Sequence, residues 1–277
     1  SGQNFITTPD LDEFDMTSAT ATQVQLTRVG GLDIWNFYGT FTIVGGEVTG
    51  GTATSTDYYV SGVKQWQITG GSWAASSIAG FFDVNDGAGL SQYIFAGNDT
   101  FNGSADDDAF NGFAGNDTLY GNAGFDFLVG GAGDDKIYGG TGEDTASYHD
   151  SAAGVTVNLT LVTAQNTIGA GIATLNSNER VYGSSFNDTL SGNAGNNLIA
   201  AGPGTDLVNG DAGNDTVSGG DGTDTLSYAS NWSGVLLRLE TSTAQNTIGA
   251  GTDMILEFEN LTGGHGNDTL VGGSGSN

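Results

Sequence analysis

Residues 94–147 have the sequence IFAGNDTFN-GSADDDAFN-GFAGNDTLY-GNAGFDFLV-GGAGDDKIY-GGTGEDTAS, six consecutive units of nine residues. Every unit carries aspartate at its sixth position and an apolar residue at its eighth. The fourth position is glycine in five units, and Asp106 occupies it in the remaining one. Apolar residues at a fixed period of nine predict short strands that each bury one side chain in a common core.

The same unit returns twice further along the chain. Residues 183–227 hold five more units, and a third array opens at residue 263 with GGHGNDTLV. A longer period lies over the arrays, because TAQNTIGAG at 163–171 recurs unchanged at 243–251. The third array stops before its second unit is complete, which predicts that the protein continues beyond Asn277.

These patterns divide the chain into six expected segments. They are an N-terminal β-rich domain at 1–93, the first array at 94–147, a spacer at 148–182, the second array at 183–227, a second spacer at 228–262 and the start of a third array at 263–277. Within the first segment, alternating residues at 41–44 and 65–68 predict strands. Residues 47–60 suggest a strand, a turn and a strand, whereas 72–82 and 87–95 suggest short helices.

The charge of the chain excludes several classes of partner. Thirty-two acidic residues face five basic ones, a formal net charge of −27. Nucleic acids and anionic membrane surfaces repel such a polyanion, so neither is an expected partner. No run of about 18 apolar residues is available to cross a bilayer. The chain has no cysteine, which excludes disulfides and thiolate metal sites.

The spacing of the aspartates predicts a site for a hard cation. Two successive units can form one coil, with strands on two opposed sheets. Parallel strands stack about 4.8 Å apart, which brings every second aspartate close to the next. Carboxylates held this close either bind protons more tightly or share a cation. Calcium fits because it accepts 6–8 oxygen ligands in irregular geometry; magnesium is a second choice, and a metal-free acidic coil is the alternative.

The predicted ligands are the sixth-position residues and the glycines two positions before them. In the first array they are Asp99, Gly97, Asp108, Asp117, Gly115, Asp126, Gly124, Asp135, Gly133, Asp144 and Gly142. Further along they are Asp188, Asn197, Asp206, Gly204, Asp215, Gly213, Asp224 and Gly222, with Asp253 in the second spacer and Asp268 in the third array. The expected pairs are 99/117, 108/126, 117/135, 126/144, 188/206, 206/224 and a weaker 197/215. Asp106 is expected to strain its loop, and Ala173 takes the acidic place in the first spacer.

The units match the pattern GGxGxDxUx, and the chain thereby resembles the RTX (repeats-in-toxin) family of secreted Gram-negative proteins. The spacers are similar to those in R-modules of mannuronan C5-epimerases. This resemblance implies an all-β fold, a right-handed parallel β-roll in tandem arrays, which we expect residues 1–93 to cap. It also implies several bound Ca²⁺ ions, folding outside the cell, and export through a type I secretion channel by a signal beyond Asn277.

The sequence favours a module without catalysis. It contains no HExxH, no GxSxG and no DPH tripeptide, so the motifs of zinc proteases, serine hydrolases and the epimerases are missing. The leading hypothesis is a secreted structural or adhesive protein of the cell surface or biofilm matrix. A second hypothesis is an accessory module of a secreted polysaccharide-modifying enzyme, which binds carbohydrate through aromatics such as Trp66. A third, hydrolysis within 1–93, has no residue constellation behind it.

Overall fold

The computed structural model describes residues 97–273 except residue 242, and in addition the backbone of the strands between residues 4 and 74. The described residues form strands, turns and bends with no helix, and none of them forms a helix able to cross a membrane. The chain divides into two compact units, Ser1–Lys136 and Ile137–Asn277. The boundary between them falls inside the first array, and the six predicted segments stay a prediction.

The N-terminal part of the first unit is an antiparallel sheet. After the short β1 (Asn4–Phe5), its strands in order are β2 (Phe14–Ala19), β3 (Gln23–Arg28), β4 (Ile34–Val44), β5 (Glu47–Val60) and β6 (Val63–Ala74). The strands predicted at 41–44 and 65–68 lie within β4 and β6.

Two predictions for this sheet are wrong. Residues 47–60 form one strand instead of two, because Gly50 and Gly51 pair with Thr42 and Phe41 and so continue the ladder without a turn. The helix predicted at 72–82 begins instead as the end of β6, at Ser72–Ala74. The remainder of that segment and residues 87–95 lie outside the described residues.

The first array forms a roll of short parallel strands. These are β7 (Thr100–Asn102), β8 (Asp108–Asn111), β9 (Thr118–Ala123) and β10 (Phe127–Val129). β7 pairs with β9, with Phe101 opposite Leu119, and β8 pairs with β10, with Phe110 opposite Leu128. In both pairs a strand pairs with the strand two nonapeptides later in the chain. This confirms that two successive nonapeptides form one coil of the roll.

The N-terminal strands cover the first coil of this roll. β6 runs antiparallel to β7, with Ile68 opposite Phe101, and β1 runs parallel to β8, with Phe5 opposite Ala109. A first coil without such neighbours would present open strand edges that invite pairing with other chains. The pairing agrees with the capping role expected for residues 1–93.

The second unit contains a longer roll. Its strands are β11 (Lys136–Thr141, which starts on the last residue of the first unit), β12 (Thr145–Ser147), β13 (Thr156–Asn158), β14 (Gln165–Ile168), β15 (Gly171–Asn176), β16 (Arg180–Tyr182), β17 (Thr189–Ser191), β18 (Leu198–Ala200), β19 (Leu207–Asn209), β20 (Thr216–Ser218), β21 (Thr225–Ser227), β22 (Leu236–Arg238), β23 (Gln245–Asn246), β24 (Thr252–Leu256), β25 (Asn260–Thr262) and β26 (Thr269–Val271). Three parallel ladders result, namely β12-β16-β18-β20-β24, β13-β17-β19-β21-β25 and β22-β26. Two antiparallel pairs accompany them: β23-β24 extends the first of these ladders, and β14-β15 is joined through β15 to β11.

The spacers supply coils of the roll. Ala146 pairs with Val181 across the first spacer, and Leu226 pairs with Leu261 across the second, a step of the same length. Within one long repeat β13 pairs with β17, and in the next β22 pairs with β26 in the same register. The long period of the sequence is therefore also a period of the structure.

The apolar eighth residues form the core of each roll. In the first unit Phe101, Phe110, Leu119 and Leu128 are buried, and in the second Ile137, Ala146, Leu190, Ile199, Val208, Val217 and Leu226 are buried. The rings of Phe101 and Phe110 lie 5.5 Å apart. Leu270 is the exception at 43% exposed, since it lies in β26, the last described strand.

Candidate metal centre

The sixth-position aspartates of the first two arrays are all buried. They are Asp99, Asp108, Asp117, Asp126, Asp135, Asp144, Asp188, Asp206, Asp215 and Asp224, joined by Asn197 and by Asp253 of the second spacer. Each follows a glycine-rich turn and stands just before or at the start of a strand, so the core residue two positions later fixes its place. Carboxylates are seldom buried unless a partner compensates them.

A ladder of backbone-to-carboxylate hydrogen bonds joins aspartates 18 residues apart. The Asp99 N–H donates to Asp117 Oδ1 at 2.8 Å, and the Asp117 N–H donates to Asp135 Oδ1 at 2.9 Å. The same bond joins 108 to 126, 188 to 206, 197 to 215 and 206 to 224, at 2.7–2.9 Å. Six of the seven predicted pairs are thus brought together. The pair 126/144 belongs to two different units and stays a prediction.

The other carboxylate oxygen of several of these residues has no hydrogen-bond partner. Such buried oxygens are Oδ1 and Oδ2 of Asp99, Oδ1 of Asp108, and Oδ2 of Asp117, Asp206 and Asp224. A buried acceptor without a donor is costly, and more so when it is charged. A cation beside these oxygens would remove that cost.

A backbone carbonyl accompanies these oxygens. A Cβ atom built on Gly112 would lie 2.5 Å from Asp117 Oδ2 and 2.4 Å from the Gly130 carbonyl oxygen. A Cβ on Gly103 would lie equally close to the Gly121 carbonyl oxygen and to Asp108 Oδ2, which here also accepts from Ser104. A carboxylate oxygen and a carbonyl oxygen therefore converge on a space that only glycine leaves open. These first-position glycines are not among the predicted ligands, although the pattern GGxGxDxUx contains them.

The predicted fourth-position glycines allow the turns to take an unusual backbone conformation. Gly115, Gly133 and Gly222 have φ of 147°, 144° and 156°, which L-residues rarely adopt. A Cβ on Gly133 would lie 1.6 Å from the Gly115 carbonyl oxygen one coil earlier. These glycines allow successive turns to stack. Asp106 is not among the residues with positive φ, so the prediction that it strains its loop is wrong.

Burial raises the pKa of the ladder carboxylates. It raises the pKa of Asp99 and of Asp215 to about 7, and that of Asp206 to about 6. Burial also raises the pKa of Asp117 to about 7, to which the neighbouring Asp135 and Asp99 carboxylates add. Near neutral pH these groups therefore take up either protons or a cation.

Three predicted ligands differ from the rest. Asp253 continues the ladder by accepting the Asp215 N–H at 3.0 Å, but its Oδ2 also accepts the Tyr228 hydroxyl at 2.7 Å and the Thr247 hydroxyl at 2.9 Å. Asn197 Oδ1 accepts the Asn193 N–H. Asp268 is exposed, and it accepts the Val235 N–H at 3.0 Å. Each has less capacity for a cation than the unpartnered aspartates.

In two nonapeptides a serine at the second position donates hydrogen bonds to the ladder aspartate of the same nonapeptide. Asp188 accepts both the N–H and the hydroxyl of Ser184, and Asp108 accepts both from Ser104. This role of the serine was not predicted from the sequence. Its signal is the GS that opens units 103–111 and 183–191 in place of GG, GN or GF.

No described residues gather three or more histidine, cysteine or acidic side chains that could hold a metal. Two carboxylates per site are what the roll provides, with backbone oxygens completing the set. Calcium accepts such ligands. The family model of the RTX calcium-binding nonapeptide repeat matches residues 93–128, 111–146, 175–208, 201–230 and 260–277. The arrays are RTX calcium-binding repeats. Calcium is therefore their cofactor, and no curated protein matches the chain.

Proposed function

We propose that this RTX chain is a module that folds on binding several Ca²⁺ ions and then serves a structural or adhesive role outside the cell. The observation that carries the proposal is the column of buried, unpartnered aspartate oxygens that recur every 18 residues. Burial has removed these groups from water, and the roll offers them no donor. Calcium supplies the compensation.

The proposed ligands are the sixth-position aspartates with carbonyl oxygens of the glycine-rich turns. The predicted fourth-position glycines contribute through these turns, and Asn197, Asp253 and Asp268 are the weakest members. Because a net charge of −27 opposes compaction, metal binding energy becomes folding energy in such a chain. The arrays then stay open where calcium is scarce and close where it reaches millimolar concentration.

This switch suits export, because an unfolded chain can pass through a secretion channel and a chain folded by calcium outside the cell cannot pass back. RTX proteins are typically secreted by Gram-negative bacteria, and we place this chain in the same setting, with type I export through a C-terminal signal. The role we assign to it is mechanical, without catalysis. Similarity of the spacers to R-modules belongs to the same proposal.

A calorimetric calcium titration with circular dichroism, repeated after EGTA, tests the module directly. We expect several ions per chain, strand signal gained with calcium, and loss of that signal in chelator. A chain that keeps its ordered spectrum in EGTA, or takes up no calcium at millimolar concentration, would contradict the proposal.

A second function, carbohydrate binding as an accessory module, is favoured by one surface feature. Trp232 is 82% exposed, and its ring stacks on that of His265 with centroids 4.4 Å and planes 18° apart. A flat exposed ring held in place offers an apolar face for a sugar. Affinity electrophoresis in alginate compares Trp232→Ala and Trp66→Ala with the wild type. Retardation that either substitution abolishes would favour this function, and no retardation of the wild type would exclude it for alginate.

A further inference from the structure

We infer that the ladder of calcium-binding carboxylates continues into the second spacer, at a calcium site formed by Asp224 and Glu259 outside the nonapeptide pattern. This inference rests on the proposed function. Glu259 precedes β25 in a stretch without the repeat motif, yet it occupies the next place on the ladder. The Asp224 N–H donates to Glu259 Oε2 at 2.8 Å, as the Asp206 N–H donates to Asp224 Oδ1 at 2.8 Å.

Asp224 has the properties of an incomplete ligand. It is 0% exposed, and its Oδ2 has no hydrogen-bond partner. The carboxylate of Glu259 lies beside it, since the Asp224 N–H donates to that group. A second carboxylate beside a buried one is unfavourable unless a cation lies between them. The free oxygen thus indicates a ligand at this point of the spacer.

The oxygen pair of the arrays recurs here. A Cβ on Gly219 would lie 2.9 Å from Asp224 Oδ2 and 2.2 Å from the Glu257 carbonyl oxygen. In the first array, a Cβ on Gly112 would lie 2.5 Å from Asp117 Oδ2 and 2.4 Å from the Gly130 carbonyl oxygen. In both places the carbonyl belongs to the coil that stacks next on the glycine. The extra length of the spacer coil therefore leaves the oxygen arrangement intact.

The same arrangement occurs at the equivalent place of the first spacer. There the Asp144 N–H donates to Glu179 Oε2 at 3.1 Å, and a Cβ on Gly139 would lie 2.7 Å from Asp144 Oδ2 and 2.0 Å from the Ser177 carbonyl oxygen. Ser177 and Glu257 both have positive φ, 53° and 58°, although neither is glycine. The carbonyl and the glutamate thus come from the same places in both spacers. We assign a calcium site to each spacer, with a glutamate in the place of the second aspartate.

Glu259→Gln in the full chain tests the site, because it retains an acceptor for the Asp224 N–H and removes the charge. Glu240→Gln is the matched control: Glu240 lies in the same spacer, its side chain is exposed, and it has no part in the proposed site. We expect Glu259→Gln to bind one Ca²⁺ fewer per chain at micromolar free calcium, or to bind that ion at least tenfold more weakly. Glu240→Gln should match the wild type.

Hydrogen exchange of amides 252–262 in calcium is the second measurement, since it shows whether the segment is still folded. Faster exchange confined to this segment in Glu259→Gln supports the site. If Glu259→Gln and the wild type bind the same number of ions with the same affinity, the spacer site is overturned. Calcium binding by the arrays would persist in that case. A wild type that binds no calcium would instead overturn the proposed function.

Discussion

Asp117 accepts the backbone N–H of Asp99 through Oδ1 at 2.8 Å, while its Oδ2 stays buried without a donor. The two oxygens of one carboxyl group thus have separate tasks. Oδ1 binds the backbone of the preceding coil, and Oδ2 faces the space beside Gly112. The position of Asp117 between Asp99 and Asp135 makes it a member of two successive pairs.

Asp117→Ala should therefore remove more calcium than Asp99→Ala. Asp117 is shared by the pairs 99/117 and 117/135, so its loss affects two ions, whereas Asp99 belongs to one predicted pair. We expect two ions fewer for the first variant and one fewer for the second, counted by calorimetric titration. Equal losses would contradict the stacked arrangement.

The calcium affinity should rise with pH between about 5 and 8. The pKa values of Asp99, Asp117 and Asp215 are raised to about 7, so below that pH calcium must displace protons. For each proton that calcium must displace, the calcium affinity falls about tenfold per pH unit below the pKa. Titrations at pH 5.5, 6.5 and 7.5 measure this dependence. An affinity independent of pH over that range would show that these carboxylates are already ionised without calcium.

The calcium-free fold should show the opposite dependence. A carboxyl group whose folded pKa lies above its unfolded value stabilises the fold below the unfolded pKa, and that stability is lost as pH rises through the folded value. For Asp99 the window runs from its ordinary 3.8 to about 7. In protein freed of calcium by EGTA at pH 7.5 and then exchanged into calcium-free buffers, we therefore expect strand content, measured by circular dichroism, to be greater at pH 4.5 than at pH 7.5.

Gly133→Ala should disrupt the first roll, and Gly97→Ala should not. Gly133 has φ of 144°, and a Cβ there would lie 1.6 Å from the Gly115 carbonyl oxygen, whereas a Cβ on Gly97 would meet nothing within 4 Å. A strained φ alone costs about 1–3 kcal/mol, and the clash adds to it. Thermal unfolding in millimolar calcium should show a lower midpoint for Gly133→Ala only. Similar midpoints for both variants would mean that the turns do not stack as described.

The sequence predicted the parts of the roll that follow its own period. The apolar residue at every ninth position and the aspartate two places before it define the core and the ladder, as Leu119 and Asp117 show. The coils within the spacers were not predicted, because β13 and β16 lie outside the nonapeptide pattern although they pair with strands inside it. The role of Glu259 was missed for the same reason: a glutamate outside the pattern resembles any surface acid until the fold brings it to Asp224.

Tyr228 satisfies one oxygen of a ladder aspartate, Asp253 Oδ2, without an ion. Its hydroxyl donates to Asp253 Oδ2 at 2.7 Å, and the ring is fully buried. Burial and the nearby Asp253 carboxylate raise the pKa of Tyr228, so the phenol stays a donor. Tyr228→Phe removes this donor and should lower the free energy of unfolding in saturating calcium by about 1–3 kcal/mol.

A double-mutant cycle with Asp253→Asn separates this bond from simple packing. In the Asp253→Asn background the carboxylate charge is gone, so the added cost of Tyr228→Phe should fall by half or more. Both variants are compared by urea unfolding at fixed free calcium. The number of bound ions should stay unchanged in Tyr228→Phe, because Asp253 Oδ2 is already occupied by the two hydroxyl donors. A change in stoichiometry would show instead that Asp253 belongs to an ion site and that Tyr228 closes it.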